Sequence, residues 1–324
     1  MQRAPQAMPP LILRVLLDRA FARLKRAPLA YGHGTTNAWD EAVYLVLHAL
    51  KMRPDILTPF LENTVSARQC ARAMTLVEQR IRRRIPAAYL TNEAWLGKYR
   101  FFIDERVIVP RSFIAELIQH RLLPWIPPRR RIRRALDLCT GSGCLAILLA
   151  KTFAAVRVDA VDIDPGALAV ARRNISAYRM QRRIRLLRSD MFASLAGERY
   201  DLVIANPPYV DAVAMRKLPD EYRREPRLAL ASGKDGLDAV RVILREAASH
   251  LTNKGLLVVE VGHHKRRVEA AFPRHAFIWP QTSGGDDCVF ILGRDDLLRA
   301  TLTAPPEVVV PNRANRPIAA FPPR

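Results

Sequence analysis

The sequence predicts an α/β fold: a mainly parallel, Rossmann-like sheet behind an N-terminal helical domain. Three observations predict it. From residue 135 onward, short apolar runs alternate with segments of helical spacing, the pattern of a parallel sheet with helices on both faces. The first of those runs ends in Asp137-Leu138-Cys139-Thr140-Gly141-Ser142-Gly143, a turn whose glycines let the backbone approach a ligand closely. Before residue 95, the spacing is helical and strand-like runs are absent.

The elements follow in order. Residues 11–26 are basic and amphipathic. They have no cleavage site after a long apolar core, so a secretory signal is excluded. Asp18 is their sole acid, which admits a transit peptide; an ordinary first helix is the expectation. Asp40 and Glu41 mark a helix start after Asn37, and Leu45, Leu47 and Leu50 continue it. Residues 64–85 form a further helix, with Arg80 to Arg84 as a solvated face. From 94 to 109, aromatic and β-branched residues predict a hairpin. Pro110-Arg111-Ser112 opens a helix from Phe113 to about Leu123, and the Pro- and Arg-rich stretch 124–134 is a surface connector.

Strands are then expected at 135–139, 156–162, 184–188, 200–205 and 256–261. Helices are expected from 143, at 165–178, 236–250 and 264–272. Residues 277–279 and 289–292, separated by Ser283-Gly284-Gly285, read as an antiparallel pair. Residues 304–324 carry six prolines and read as a disordered tail. The predicted organisation is a helical domain at 1–93, hairpin and connector at 94–134, sheet domain at 135–295 and tail at 296–324.

The chain has 324 residues, 49% of them hydrophobic, which gives room for two domains with one large core. No apolar run approaches the ~20 residues that span a bilayer. The net charge is +21. Such a charge points to a polyanionic partner such as RNA. It also fits GC-rich coding, because only eight of the 52 basic residues are lysine. Cys70, Cys139, Cys144 and Cys288 form no Cys-x-x-Cys pair and have no histidine at zinc-ligand spacing. A reduced cytoplasmic protein without structural metal is expected.

Asn206-Pro207-Pro208-Tyr209 closes the run 200–205. The prolines stiffen the turn and supply carbonyls without N–H groups. The Asn206 side-chain oxygen and a neighbouring carbonyl can accept both hydrogens of a planar –NH2 group, with Tyr209 against its flat face. Such a pocket suits an amide or a nucleobase amine. A plain strand-exit turn is the bland alternative.

The glycine string also satisfies Gly-x-Gly-x-x-Ala, so a dinucleotide is one candidate ligand. Asp162, at the end of the second strand, is placed to accept ribose hydroxyls from either kind of cofactor. Two features favour S-adenosylmethionine: Asp137 before the glycines can reach a methionine amino group, and Asp190-Met191-Phe192 can hold the adenine amine and pack its ring. Cap or turn roles are open to each aspartate taken singly.

The strings DLCTGSGCLAI at 137–147, SDMF at 189–192 and NPPYV at 206–210 resemble the protein-glutamine N5-methyltransferases. YGHGTTNAWDEA at 31–42, YLTNEAWLGKYRFFIDERVIVPRS at 89–112 and EYRREPRLALASGKDGLD at 221–238 are similar to the branch acting on the third protein of the large ribosomal subunit. The resemblance spans about residues 10–295. It implies a class I S-adenosylmethionine-dependent methyltransferase. Cofactor contacts would come from Thr140, Gly141, Ser142, Gly143, Asp162 and the 190–192 loop. Asn206 to Tyr209 would take the substrate amide; since that pocket reads only a planar amine, residues 1–95 with the 94–112 hairpin are expected to choose the substrate. Met191 stands where the sister branch, which acts on peptide release factors, often has tryptophan, and Phe113 stands in place of an expected proline. Glu105, Arg106 and Arg111 either shape the pocket wall or are structural; His263 and His264 read as helix-start residues.

Three rivals remain at this level. One is a nucleic-acid amino-methyltransferase, since adenine nitrogen fits the same pocket. Another is a non-catalytic RNA-binding assembly factor. The third is an NAD-dependent oxidoreductase, for which no acid–base set accompanies the glycine loop. A basic enzyme and a basic ribosomal protein repel at long range, so the substrate is either met by an acidic face or presented on an RNA-containing assembly intermediate.

Overall fold

A computed structural model describes residues 11–52 and 60–302. The first described element is a two-residue strand, β1 (Leu11–Ile12), which pairs antiparallel with β2 (Thr64–Val65). This ribbon corrects the expectation of a purely helical start. Between and after its strands lie α1 (Leu13–Lys25), α2 (Ala38–Leu50), α3 (Ala67–Arg83) and α4 (Ala87–Thr91). Asn37 caps α2 by accepting from the Trp39 and Asp40 amides, and Ser66 with Gln69 forms a capping box on α3. Leu13, Leu16, Leu17, Leu24, Leu45 and Val77 bury the apolar faces of α1–α3 in a core separate from the sheet.

The predicted hairpin is β3 (Glu93–Leu96) and β4 (Tyr99–Phe102). The helix expected at 113–123 is shorter, α5 (Ile114–Gln119), because Arg121 and Leu122 take left-handed backbone angles that end it.

Alternation then sets in: β5 (Arg134–Leu138), α6 (Cys144–Thr152), β6 (Arg157–Asp162), α7 (Pro165–Ala177), β7 (Ile184–Arg188) and β8 (Tyr200–Ala205). After these come α8 (Ala212–Lys217), α9 (Asp238–Glu246), β9 (Leu251–Glu260), α10 (Lys265–Ala271), β10 (Val289–Gly293) and α11 (Arg294–Leu302). The sheet order is β10-β9-β8-β5-β6-β7, parallel throughout except for β10 against β9. β10 therefore takes β9 as its partner. The pairing expected with 277–279 reduces to one bridge, Ile278 with Ile291.

α11 crosses the expected boundary at 295/296 and buries Leu297 and Ala300. Residues 303–324, the expected tail, lie outside the described residues. Among the described residues, no helix is long and apolar enough to cross a membrane. From β5 the chain runs outward through β6 and β7, then crosses back to β8 on the other side of β5. That reversal opens a crevice at the carboxyl ends of β5 and β8, where ligands bind in sheets of this kind.

Candidate active site

A cavity occupies that crevice. Its walls come from the loops after β5, β6, β7 and β8, from residues 106–108 and from residues 226–229. The β5 loop is built on Asp137. Its Oδ2 accepts the Thr140 hydroxyl at 2.6 Å and the Ala146 amide at 3.0 Å, which ties the turn to the first residues of α6. Its Oδ1 is buried without a partner, and burial pushes the carboxyl up to about 7. Asp137 thus braces the loop from behind and does not line the cavity. One carboxylate oxygen holds the turn closed, and the other keeps its lone pairs free.

The two glycines serve different needs. Gly141 has φ +53°, and a Cβ there would meet nothing within 4 Å, so the backbone faces open cavity. At Gly143 a Cβ would sit 3.1 Å from the Ala171 Cβ on α7. Its hydrogen side chain lets α6 and α7 approach. Thr140 and Ser142 are buried, and neither they nor Gly143 lines the cavity.

Asp162 ends β6 and lies in the cavity wall. Its Oδ2 accepts the Gly141 amide at 2.9 Å and its Oδ1 the Asp164 amide at 3.0 Å. Burial raises its pKa. Each oxygen keeps a further lone pair for a ligand hydroxyl. Asp164 and Asp190 also line the wall, whereas Arg106, the cation there, is held by Asp104 at 2.6 and 2.9 Å. The cavity is therefore a negative environment with spare acceptors, suited to a ligand that carries positive charge and hydroxyls.

The 190–192 loop divides. Asp190 and Met191 line the cavity; Phe192 does not. Phe192 is buried in the core beneath, stacked on His250 at 4.7 Å. The apolar wall is made instead by Met191, Val107, Ile108, Ile163 and Leu228. Ile163 and Leu228 are large and exposed. Cys139 and Met191, both non-glycine residues at positive φ (57° and 44°), also face it. Such strain gathers at ligand sites. Periodicity passes over all of these; the one available signal was an isoleucine between the strand-end Asp162 and the helix cap Asp164.

After β8, Asn206 and Pro208 face the cavity, while Pro207 is buried and neither it nor Tyr209 lines it. The Asn206 side chain makes no hydrogen bond among the described residues and keeps its amide free. Tyr209 packs edge-on against His264 at 6.2 Å, and burial raises its phenol pKa. Behind it Glu260, at the end of β9, accepts the Ser112 hydroxyl at 2.5 Å and is pushed up to about 7 by burial.

The outer wall is fixed by ion pairs that no local pattern shows. Glu225 accepts both arms of Arg111, at 2.5 and 2.6 Å, and the Val109 amide at 3.0 Å. Glu221 accepts from Arg80 at 3.0 Å and from Arg84 at 2.9 and 2.7 Å. Arg80 also donates to Glu41 at 2.7 Å and to the Ala30 carbonyl at 2.8 Å. Arg80 is fully buried, which corrects its expected place on a solvated face. The His33 ring lies tilted against Tyr222, 4.2 Å between centroids, and 3.7 Å from Glu225, too far for a hydrogen bond. Arg111 is thus structural, Arg106 a wall residue, and Glu105 exposed and outside the cavity.

A family model described as Methyltransferase small domain matches residues 119–220. The ribosomal protein uL3 glutamine methyltransferase of Bordetella pertussis is 50% identical over 285 residues, 88% of this chain and 96% of that protein. The protein of the same description from Neisseria meningitidis serogroup A is 50% identical over 286 residues, 88% of this chain and 94% of its own length. That from Bradyrhizobium diazoefficiens is 45% identical over 282 residues, 85% of this chain and 88% of its own length.

Proposed function

This chain belongs to the family of ribosomal protein uL3 glutamine methyltransferases, and from that membership we propose that it methylates the side-chain amide nitrogen of a glutamine in uL3, with S-adenosylmethionine as donor. The observation that carries the reading is the free Asn206 amide on the same cavity as the Asp162 carboxylate and the open backbone of Gly141. The donor, when bound, supplies an electrophilic methyl group beside a sulfonium charge. The residues of the cavity fit it. Asp162 has lone pairs for a ribose diol, Ile163 and Met191 offer faces for a flat ring, and the unpaired aspartates suit a cation.

The chain's own residues then do the positioning. The Asn206 side-chain oxygen and a carbonyl of the Pro207-Pro208 turn accept the two hydrogens of the substrate amide. That fixes the direction of the nitrogen and favours the positive charge that grows on it. Tyr209 supports the turn from behind, held by His264. Holding two reactants in register can supply several kcal/mol, roughly 7–11 in the best intramolecular cases. A strong base is not needed, because the transfer leaves a positively charged N-methylated amide that is strongly acidic and gives its proton to water.

We assign substrate choice to the N-terminal helices with the 93–102 hairpin, since the pocket itself reads nothing beyond a planar amine. The family's ribosomal substrate supports a cytoplasmic setting, with either free uL3 or an RNA-containing assembly intermediate as the form acted upon. The deciding experiment incubates the protein with labelled donor and unmethylated uL3, followed by mass spectrometry of the modified atom. Label on a glutamine N5 is the expected result; label on a nucleobase, or none, overturns the reading.

A further inference from the structure

The amino edge of the six-stranded sheet, away from the cavity, carries a row of cations that the fold does not use. Lys254 lies near the start of β9, Arg199 precedes β8, Arg133 precedes β5, Arg157 opens β6 and Arg182 precedes β7. All five are exposed. Neighbouring strands are ~4.8 Å apart, so five strands in succession spread this row over about 19 Å.

Asp159 and Glu198 on this edge are already taken by cations, Arg134 and Arg185. Asp201 is held by neutral donors, the Arg133 and Arg134 amides and the Thr252 hydroxyl, and leaves one negative charge against the five cations. The side chains of Lys254, Arg133, Arg157 and Arg182 have no hydrogen bond or ion pair among the described residues. Arg199 gives one bond, to the Leu251 carbonyl. Between the ends of β6 and β7 the surface sinks into a cleft whose charged lining is Arg134, Arg157, Arg182, Arg183 and Arg185 against Asp159 and Glu198, so cations outnumber acids there. Exposed like charges at this spacing repel one another within a Debye length. A chain of phosphates laid along the row would relieve that repulsion and release its own counterions.

We propose that the amino edge of the sheet is an RNA-binding surface, which holds an RNA-containing ribosomal particle while the opposite edge methylates its protein. The choice of RNA as occupant rests on the uL3 reading above; the binding itself does not. A polynucleotide strand carries one charge per ~3.4 Å, so a 19 Å row can follow about five phosphates. Such contacts read backbone and shape rather than sequence. They also answer the charge problem: the RNA, negative throughout, draws a basic enzyme to a basic substrate.

The test uses the full chain, a fluorescein-labelled duplex RNA and, separately, phosphatidylserine vesicles. The double variant Arg157→Glu/Arg182→Glu is compared with Arg172→Glu/Arg266→Glu on the exposed faces of α7 and α10, outside the N-terminal helices and the cavity, which changes net charge equally. The expected result is an RNA affinity at least about tenfold weaker in the first variant, with its salt slope reduced by about two. The second variant should lose less than about threefold, and both should methylate free uL3 at the wild-type rate. Arg157→Gln/Arg182→Gln gives the same comparison with half the charge change if the glutamate variant does not fold. Equal weakening in both variants, no weakening in either, or a loss of vesicle binding alone overturns the proposal. RNA binding without any methylation of uL3 defeats the functional reading and leaves this surface standing; methylation without RNA binding does the reverse.

Discussion

Glu225 and Pro226 are adjacent in the chain and belong to two regions of opposite character. Glu225 closes the ion-pair clamp; Pro226 begins the cavity wall. In the clamp every buried carboxylate has a cation. Burial alone would raise Glu221 and Glu225, but the hydrogen bonds from Arg84 and Arg80, and from Arg111, hold both down to about 2. In and behind the cavity no carboxylate described above, apart from Asp104, has one. Asp162 has two amides, Asp137 and Glu260 each a hydroxyl and an amide, and burial raises all three. A fully paired carboxylate can do nothing but hold its partner. One satisfied by neutral donors keeps lone pairs and an uncompensated field, and both are available to a ligand.

The largest expected effect breaks the clamp. Arg111→Ala strands Glu225 in the interior and should lower unfolding stability by about 3–5 kcal/mol, read from denaturant titration. A change below about 1 kcal/mol would mean that the pair is decorative. Replacing both partners by Met and Leu should recover most of the loss, which separates the stranded charge from the missing contact.

Next in size is Asn206→Ala, which should touch the chemistry and leave the fold alone. Loss of one positioned hydrogen bond costs about 2.7–4 kcal/mol in rate, with donor affinity within a few-fold by calorimetry. Near-normal turnover would remove Asn206 from its assigned role.

Asp162→Ala is expected to weaken donor binding by roughly 1.5–3 kcal/mol, the worth of hydrogen bonds to a charged acceptor. A thermal-shift assay sharpens this: if NAD protects the wild-type protein and S-adenosylmethionine does not, the ligand assignment falls.

The smallest expected effect lies in the pH profile of the ligand-free protein. Asp137 and Glu260 are raised to about 7. Their stabilising contribution is full below the usual carboxylate range and is lost as pH climbs to about 7. Glu221 and Glu225, depressed to about 2, contribute fully above the usual range and lose that contribution as pH falls through it. Stability should therefore peak near pH 4–5. Glu260→Gln should flatten the upper limb by roughly 2–4 °C in melting temperature and leave the lower limb in place. A profile that is flat between pH 5 and 8 would contradict the raised groups.

Much of this architecture was legible in the sequence because it is local. Strand β8 follows from an uninterrupted apolar run, and Asn206 follows from β8, since the residue after a buried strand must emerge at the sheet edge. Gly141 and Asp162 reach the cavity for the same reason. The missed features depend on contacts across the chain. Ser66 and Gln69 could be read as a cap from spacing, but nothing near Leu11 announces its pairing with Val65. The antiparallel partner of β10 was misjudged because β9 and the 277–279 segment offer similar apolar runs, and sheet order decides between them.

By itself, then, the sequence determined the alternation of strand and helix, the turn chemistry at each strand end and the family. These depend on residues within a few positions of one another. The tertiary structure alone decided that Arg80 is buried, that Phe192 turns into the core and that one oxygen of Asp137 braces the loop. Arg80 meets Glu221 across 141 positions of chain. No periodicity encodes that meeting: it exists because closure of the helical domain onto the sheet removes water from a guanidinium and supplies the carboxylate that makes its burial tolerable.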